Sequence, residues 1–160
     1  MNYTNIKRII LVGDSNVGKS CFVERLKTNN FEKNYFPTIS VEVNDLDYLK
    51  YKLNIWDTAG QKKYQGIKEG YYFNTNCFIL MFSLNSISTF NNVKHWYKEI
   101  RKICPNTPII LCGNKLDKKN QNINFNKNFE NLNINSYFEI SVAKKENLNK
   151  VLDKEIELIY

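Results

Sequence analysis

The chain has 160 residues, 42% hydrophobic and 24% charged, with a net charge of +7, which suits one globular domain over residues 1–160 and excludes disordered or fibrous classes. The longest apolar runs, Ile9–Val12 and Cys77–Phe82, fall far short of the roughly 20 residues that cross a bilayer. No run of five like charges occurs, so a nucleic-acid partner is not expected, and Cys21, Cys77, Cys104 and Cys112 form no C-x-x-C pair, which predicts free thiols in a reducing compartment.

In chain order, Ile6–Val12 is a near-continuous apolar run, as in a strand buried on both faces. A glycine-bounded loop, Gly13–Gly18, interrupts it. Phe22, Val23 and Leu26 then share one stripe of a helix over Lys19–Lys27. Ile39, Val41 and Val43 alternate with Ser40, Glu42 and Asn44, and Leu53 and Ile55 alternate with Lys52 and Asn54. These segments predict an antiparallel pair with one wet face, turning near Leu49-Lys50. Cys77–Phe82 and Ile109–Cys112 are further buried strands. Val93, Trp96, Tyr97, Ile100 and Ile103 stripe a helix that Pro105 ends. Lys118–Asn135 is asparagine-rich and irregular, and predicts a loop with one poor helix. Tyr137–Ile140 is a short last strand, and Leu148, Val151, Leu152, Ile156 and Ile159 stripe a final helix. The alternation predicts an α/β fold with a mostly parallel sheet covered on both faces.

The segment Gly13-Asp14-Ser15-Asn16-Val17-Gly18-Lys19-Ser20 fits G-x-x-x-x-G-K-[ST] between a buried strand and a helix. Such a loop turns backbone N–H groups inward around an anion, and the following helix adds its positive end. Lys19 can reach β- and γ-phosphates, and the Ser20 hydroxyl can ligate Mg²⁺. Asn114-Lys115-Leu116-Asp117 follows the strand Ile109–Cys112, at the end where open α/β sheets bind ligands. The Asp117 carboxylate can accept two hydrogen bonds from N1–H and the 2-amino group of guanine. Adenine offers neither, and would leave that carboxylate unpaired. In Asp57-Thr58-Ala59-Gly60-Gln61, Asp57 can hold a water of the Mg²⁺ shell. The Gly60 N–H can meet the γ-phosphate, and Gln61 can orient an attacking water. Thr38, after Phe36-Pro37, can supply a second hydroxyl to Mg²⁺ or be a plain turn residue. Phe31 can stack on the guanine edge or belong to the core. Contacts that exist only with a γ-phosphate would make these two segments order–disorder switches.

GDSNVGKS, FPT, WDTAGQ, NKLD and Ser141-Val142-Ala143, in this order and spacing, resemble the Ras superfamily of small GTPases across essentially the whole chain. Within it, Phe31–Tyr35, Val41–Val43, WDTAGQKKYQGIKEGYY, Asn92–Trp96 and CPNTPIILCGNKLD are most similar to the Ran branch, the nuclear-transport GTPases. The resemblance implies a P-loop fold with a six-stranded sheet, five strands parallel and one antiparallel, with helices on both faces. It implies a switch that binds GTP and GDP with Mg²⁺ and hydrolyses GTP slowly without an activating protein. The partners it implies are an exchange factor, a GTPase-activating protein and importin- or exportin-type carriers, for a monomer in nucleus and cytoplasm. It places Gln61, Lys19 and Tyr35 in catalysis. It assigns the nucleotide to Asp14, Ser15, Asn16, Val17, Gly18, Lys19, Ser20, Cys21, Phe31, Glu32, Thr38, Gly60, Asn114, Lys115, Asp117, Ser141, Val142 and Ala143. The metal falls to Ser20, Thr38 and, through water, Asp57. The Val142 N–H would meet guanine O6. Three departures stand out. Ser141-Val142-Ala143 replaces the usual Ser-Ala-Lys, which removes a lysine stem from over the base. Lys62 stands where Glu is common. The chain ends with its last helix at Tyr160, without the branch's C-terminal extension or a cysteine for prenylation, so no membrane anchor is expected. A Rab-like role in vesicle traffic and a low-turnover decoy that sequesters transport factors are the alternatives.

Overall fold

The computed structural model describes residues 6–32, 37–60, 68–125, 129 and 131–160. In chain order the elements are β1 (Lys7–Val12), α1 (Lys19–Thr28), β2 (Val41–Tyr48), β3 (Tyr51–Thr58), α2 (Lys68–Tyr72), β4 (Cys77–Ser83), α3 (Ile87–Asn91), α4 (Val93–Ile103), β5 (Ile109–Asn114), β6 (Ser136–Glu139) and α5 (Leu148–Ile159). One six-stranded sheet has the order β2-β3-β1-β4-β5-β6. Among the described strands only the β2–β3 pairing is antiparallel. This is the expected fold.

The apolar runs form strands because both faces of the sheet centre are covered. Every residue of β4 and β5 is buried. On one face α1 and α5 close a core of Ile9, Leu11, Phe22, Leu53, Ile55, Ile79, Val151 and Leu152. On the other, Ile10, Phe78, Leu80, Phe82, Tyr72, Phe90, Trp96 and Ile100 pack beneath α2, α3 and α4. Tyr137, Phe82 and Phe129 stack in that layer, so the irregular segment before β6 supplies aromatic cover where a helix would have done so. Among the described residues of Lys118–Asn135 there is no α-helix, only the end of a 3₁₀ turn, Leu116–Lys118.

One local expectation needs correction, and one element is added. On β2 the apolar set Ile39, Val41, Val43 does not mark the buried face: Ile39 is 73% and Val43 54% exposed. Instead Leu46 and Tyr48 turn toward α5, Tyr48 donating to Asp153 Oδ1 at 2.8 Å. As the edge strand, β2 carries less burial than its alternation suggests. A short helix, α3, also precedes α4, from which it is separated only by Asn92.

The parallel strands end together. Leu11 pairs with Asp57 and Ile79, and Ser83 pairs with Asn114. The Thr58 hydroxyl donates to Leu11 O at 2.7 Å. The loops after β1, β3, β5 and β6 therefore meet at one edge, the carboxyl ends of the strands.

Candidate functional site: a nucleotide cradle at the strand ends

The loop between β1 and α1 closes on Lys19. Its Nζ donates to Gly13 O at 3.0 Å and Asp14 O at 2.8 Å. Burial pulls its pKa down to about 8, against the raising effect of Asp57 and Asp14. Gly18 opens α1 at φ 102°, and among the described residues no side chain caps the helix, so its positive end faces the loop. A Cβ on Gly18 would strike Asn114 Nδ2. Nothing but glycine fits both constraints.

Three oxygen groups converge beside this loop. The Ser20 hydroxyl donates to Asp57 Oδ2 at 2.5 Å and lies 2.9 Å from Thr38 Oγ1, which is itself 3.4 Å from Asp57 Oδ2. Asp57 is 1% exposed, and its Oδ1 is buried with no hydrogen-bond partner among the described residues. Burial raises its pKa, opposed by the Ser20 hydrogen bond and by Lys19. Two hydroxyls and a carboxylate with an orphaned oxygen fit a hard divalent cation such as Mg²⁺. Among the described residues no group of three or more His, Cys, Asp or Glu is placed to hold a metal ion.

The base end is a cavity of about 480 Å³ lined by Asn16, Gly18, Cys21, Phe31, Glu32, Asn85, Asn114, Lys115, Asp117, Lys118, Val142, Ala143 and Lys144. Asn114 is buried and ties two loops together. Its Nδ2 donates to Val17 O at 2.8 Å, and its Oδ1 accepts from the Val142 N–H at 3.1 Å. Lys115, at φ 66°, reaches across to Asn16 O at 2.8 Å, with its pKa lowered by burial. Ser141 donates to Asp117 Oδ1 at 2.6 Å. Asp117 Oδ2 takes no bond from the described residues. Phe31 is 36% exposed at the rim. Burial raises the Cys21 thiol's pKa.

The structure thus brings together Ser15, Asn16, Val17, Gly18, Lys19, Ser20, Cys21, Phe31, Glu32, Thr38, Asp57, Gly60, Asn114, Lys115, Asp117, Ser141, Val142 and Ala143. Gln61 and Tyr35 lie outside the described residues. Three details differ from expectation. The Asp14 side chain turns away from the cradle to Asn92 and Trp96, so only its backbone faces Lys19. The Val142 N–H is already engaged by Asn114, so contact with a base oxygen would share that bond. Ser141 acts on Asp117 and on the Lys144 N–H, at 3.0 Å, rather than opening into the cavity.

Several supporting residues carry no motif. Arg25 Nη2 donates to Ala143 O at 3.0 Å, joining α1 to the base loop. Lys119 pairs with both oxygens of Glu139 at 2.7 Å, and Asn147 donates to Glu139 O at 2.9 Å. Trp96 could have been noticed only as an indole whose N–H, once buried, needs an acceptor.

A family model for the Ras family matches residues 8–160. The chain belongs to the Ras family. It is a small GTP-binding switch domain on the P-loop GTPase fold. Ras-family proteins bind GTP and GDP, typically with Mg²⁺, hydrolyse GTP, and interact with exchange factors and GTPase-activating proteins. The cradle, the oxygen cluster and the base cavity lie together at the strand ends of this Ras-family chain.

Proposed function

We propose that this chain is a guanine-selective GTPase switch of the Ran type, whose GTP form binds nuclear-transport carriers. The observation that carries the guanine assignment is Asp117. Ser141 holds one carboxylate oxygen at 2.6 Å at the mouth of the base cavity, and the other is left to accept from a donor edge such as N1–H and 2-NH₂.

The chain's residues divide the work. Lys19 and the backbone of residues 13–18 hold the β- and γ-phosphates. Ser20 and Thr38 would hold the cation through their hydroxyls, and Asp57 through water. When bound there, Mg²⁺ would supply neutralisation of phosphate charge. By the family resemblance, catalysis would fall to Gln61, orienting the attacking water, and to Tyr35. The products are GDP and inorganic phosphate. Lys115 and Phe31 flank the base. Loss of the γ-phosphate removes a ligand of Thr38 and Gly60 together, which releases both segments.

The transport role rests on the stretches Phe31–Tyr35, Trp56–Tyr72 and Cys104–Asp117, and with it go a location in nucleus and cytoplasm and importin- or exportin-type partners. The protein is loaded with a non-hydrolysable GTP analogue or with GDP and used as bait. Importin-family proteins retained only in the first arm are expected. Retention of vesicle-tethering factors instead would favour the Rab-like reading. Carrier retention in both arms, without acceleration of hydrolysis by any activating protein, would favour the decoy.

A further inference from the structure

The phosphate loop contains a negative charge. Asp14 lies in the stretch whose backbone surrounds Lys19, and its carbonyl accepts from that lysine at 2.8 Å. A carboxylate free to swing toward the cradle would repel the polyanion the cradle takes. Across the 14–15 peptide lies Gly60, so close that a Cβ there would strike Ser15 N and the Asp14 carbonyl carbon. The carboxylate is turned the other way by two donors from one helix face. Asn92 Nδ2 donates to Oδ2 and Trp96 Nε1 to Oδ1, each at 2.7 Å. Asn92 caps the start of α4 and Trp96 lies four residues on, so the two donors stand one above the other. Each takes a different oxygen, which fixes the carboxylate in both tilt and rotation. Trp96 is 1% exposed, so its donor is rigidly placed.

We propose that Asn92 and Trp96 are positioning residues of the nucleotide site. They hold the Asp14 carboxylate away from the phosphates and so keep the 14–15 peptide seated between Lys19 and Gly60. The proposal rests on the guanine-nucleotide reading above. It extends that reading to α4, an element none of whose residues lines the cradle or the base cavity. Freed from either donor, Asp14 adds repulsion that grows with the number of phosphate charges. Its effect is therefore larger on a triphosphate than on a diphosphate, and it is screened by salt.

The test is a cycle of Trp96→Phe, Asn92→Ala and Asp14→Ala, alone and paired, in the full chain with Mg²⁺. Dissociation rates of fluorescent GDP and of a fluorescent non-hydrolysable GTP analogue are read at low and high salt. Loss of one hydrogen bond to a charged group should speed analogue release about tenfold, with a smaller effect on GDP and a reduced effect at high salt. In the Asp14→Ala background the same helix substitutions should do nothing further, because no carboxylate remains to be held. A Trp96→Phe or Asn92→Ala effect that persists undiminished with Asp14→Ala would make these residues packing elements and overturn the proposal. So would unchanged release in both single variants. If Trp96→Phe does not fold, the Asn92→Ala and Asp14→Ala pair decides alone, since Asn92 is only half-buried. A wild-type chain that binds no guanine nucleotide overturns the functional reading itself. Normal wild-type binding with a failed cycle overturns only the role given to α4.

Discussion

Replacing Glu155 with methionine should stabilise the protein at neutral pH. Glu155 lies on α5, is 0% exposed, and neither carboxyl oxygen has a hydrogen-bond partner among the described residues. Burial holds its pKa well above the usual 4.5. The thiols of Cys77 and Cys112 lie near it, and burial raises their pKa values too, with Glu155 adding to the effect. An unpartnered buried polar group costs about 1–3 kcal/mol, and a methionine of similar length removes that cost while filling the space. For a chain of this size 1 kcal/mol corresponds to about 2–4 °C in Tm. Glu155→Met should therefore melt roughly 2–12 °C higher at pH 7.5. The pH dependence has a definite sign. Above pH 4.5 the unfolded chain releases this proton while the folded chain keeps it. The unfolded state then binds fewer protons, so stability falls as pH rises through that window. Differential scanning calorimetry of wild type, Glu155→Met and Glu155→Gln from pH 5 to 8, at one saturating GDP concentration, should show a downward slope in the wild type that is flatter in both variants. Equal melting temperatures for wild type and Glu155→Met at pH 7.5, together with parallel slopes, would refute the reasoning.

Three other outcomes follow from the site. Asn114→Ala breaks the bonds to Val17 O and Val142 N, and should weaken nucleotide binding by about 1–3 kcal/mol; titration calorimetry reads this directly, and an unchanged affinity would deny Asn114 its joining role. Lys19, with its pKa near 8 before phosphates arrive, should take up protons on binding at pH 8 and above, because the bound anion favours the charged amine. Binding heats in two buffers of different ionisation enthalpy should differ for wild type and agree for Lys19→Met, and affinity should fall as pH rises past 8. Asp117→Asn should shift preference from guanine toward xanthine nucleotides in competition binding; an unmoved preference would mean that another residue selects the base.

Much of this architecture could be read from residue order because its causes are local or periodic. Strands buried on both faces write themselves as apolar runs, as in Ile9–Val12 and Cys77–Phe82. The phosphate loop and the Asn-Lys-x-Asp turn carry their chemistry in consecutive residues. The exposed apolar face of β2 shows the limit. Alternation gives a period but not which side is covered, and Val43 stands exposed opposite Trp56 on an edge strand. The grip of α4 on Asp14 spans 78 and 82 residues, and only the fold places those partners together. The same holds for Arg25 and Ala143, which are 118 residues apart. Glu155 stands three and four residues after Leu152 and Val151 on the apolar stripe of α5, a placement that the period carries but no motif marks.

Titration calorimetry with Mg²⁺ and, in turn, GDP, GTP and ATP bears most directly on the central claim. Guanine-nucleotide binding at micromolar concentration or tighter is expected, with ATP weaker by about 10⁴-fold because it cannot pair with the Asp117 carboxylate. ATP bound as tightly as GTP, or neither bound below millimolar concentration, would contradict it.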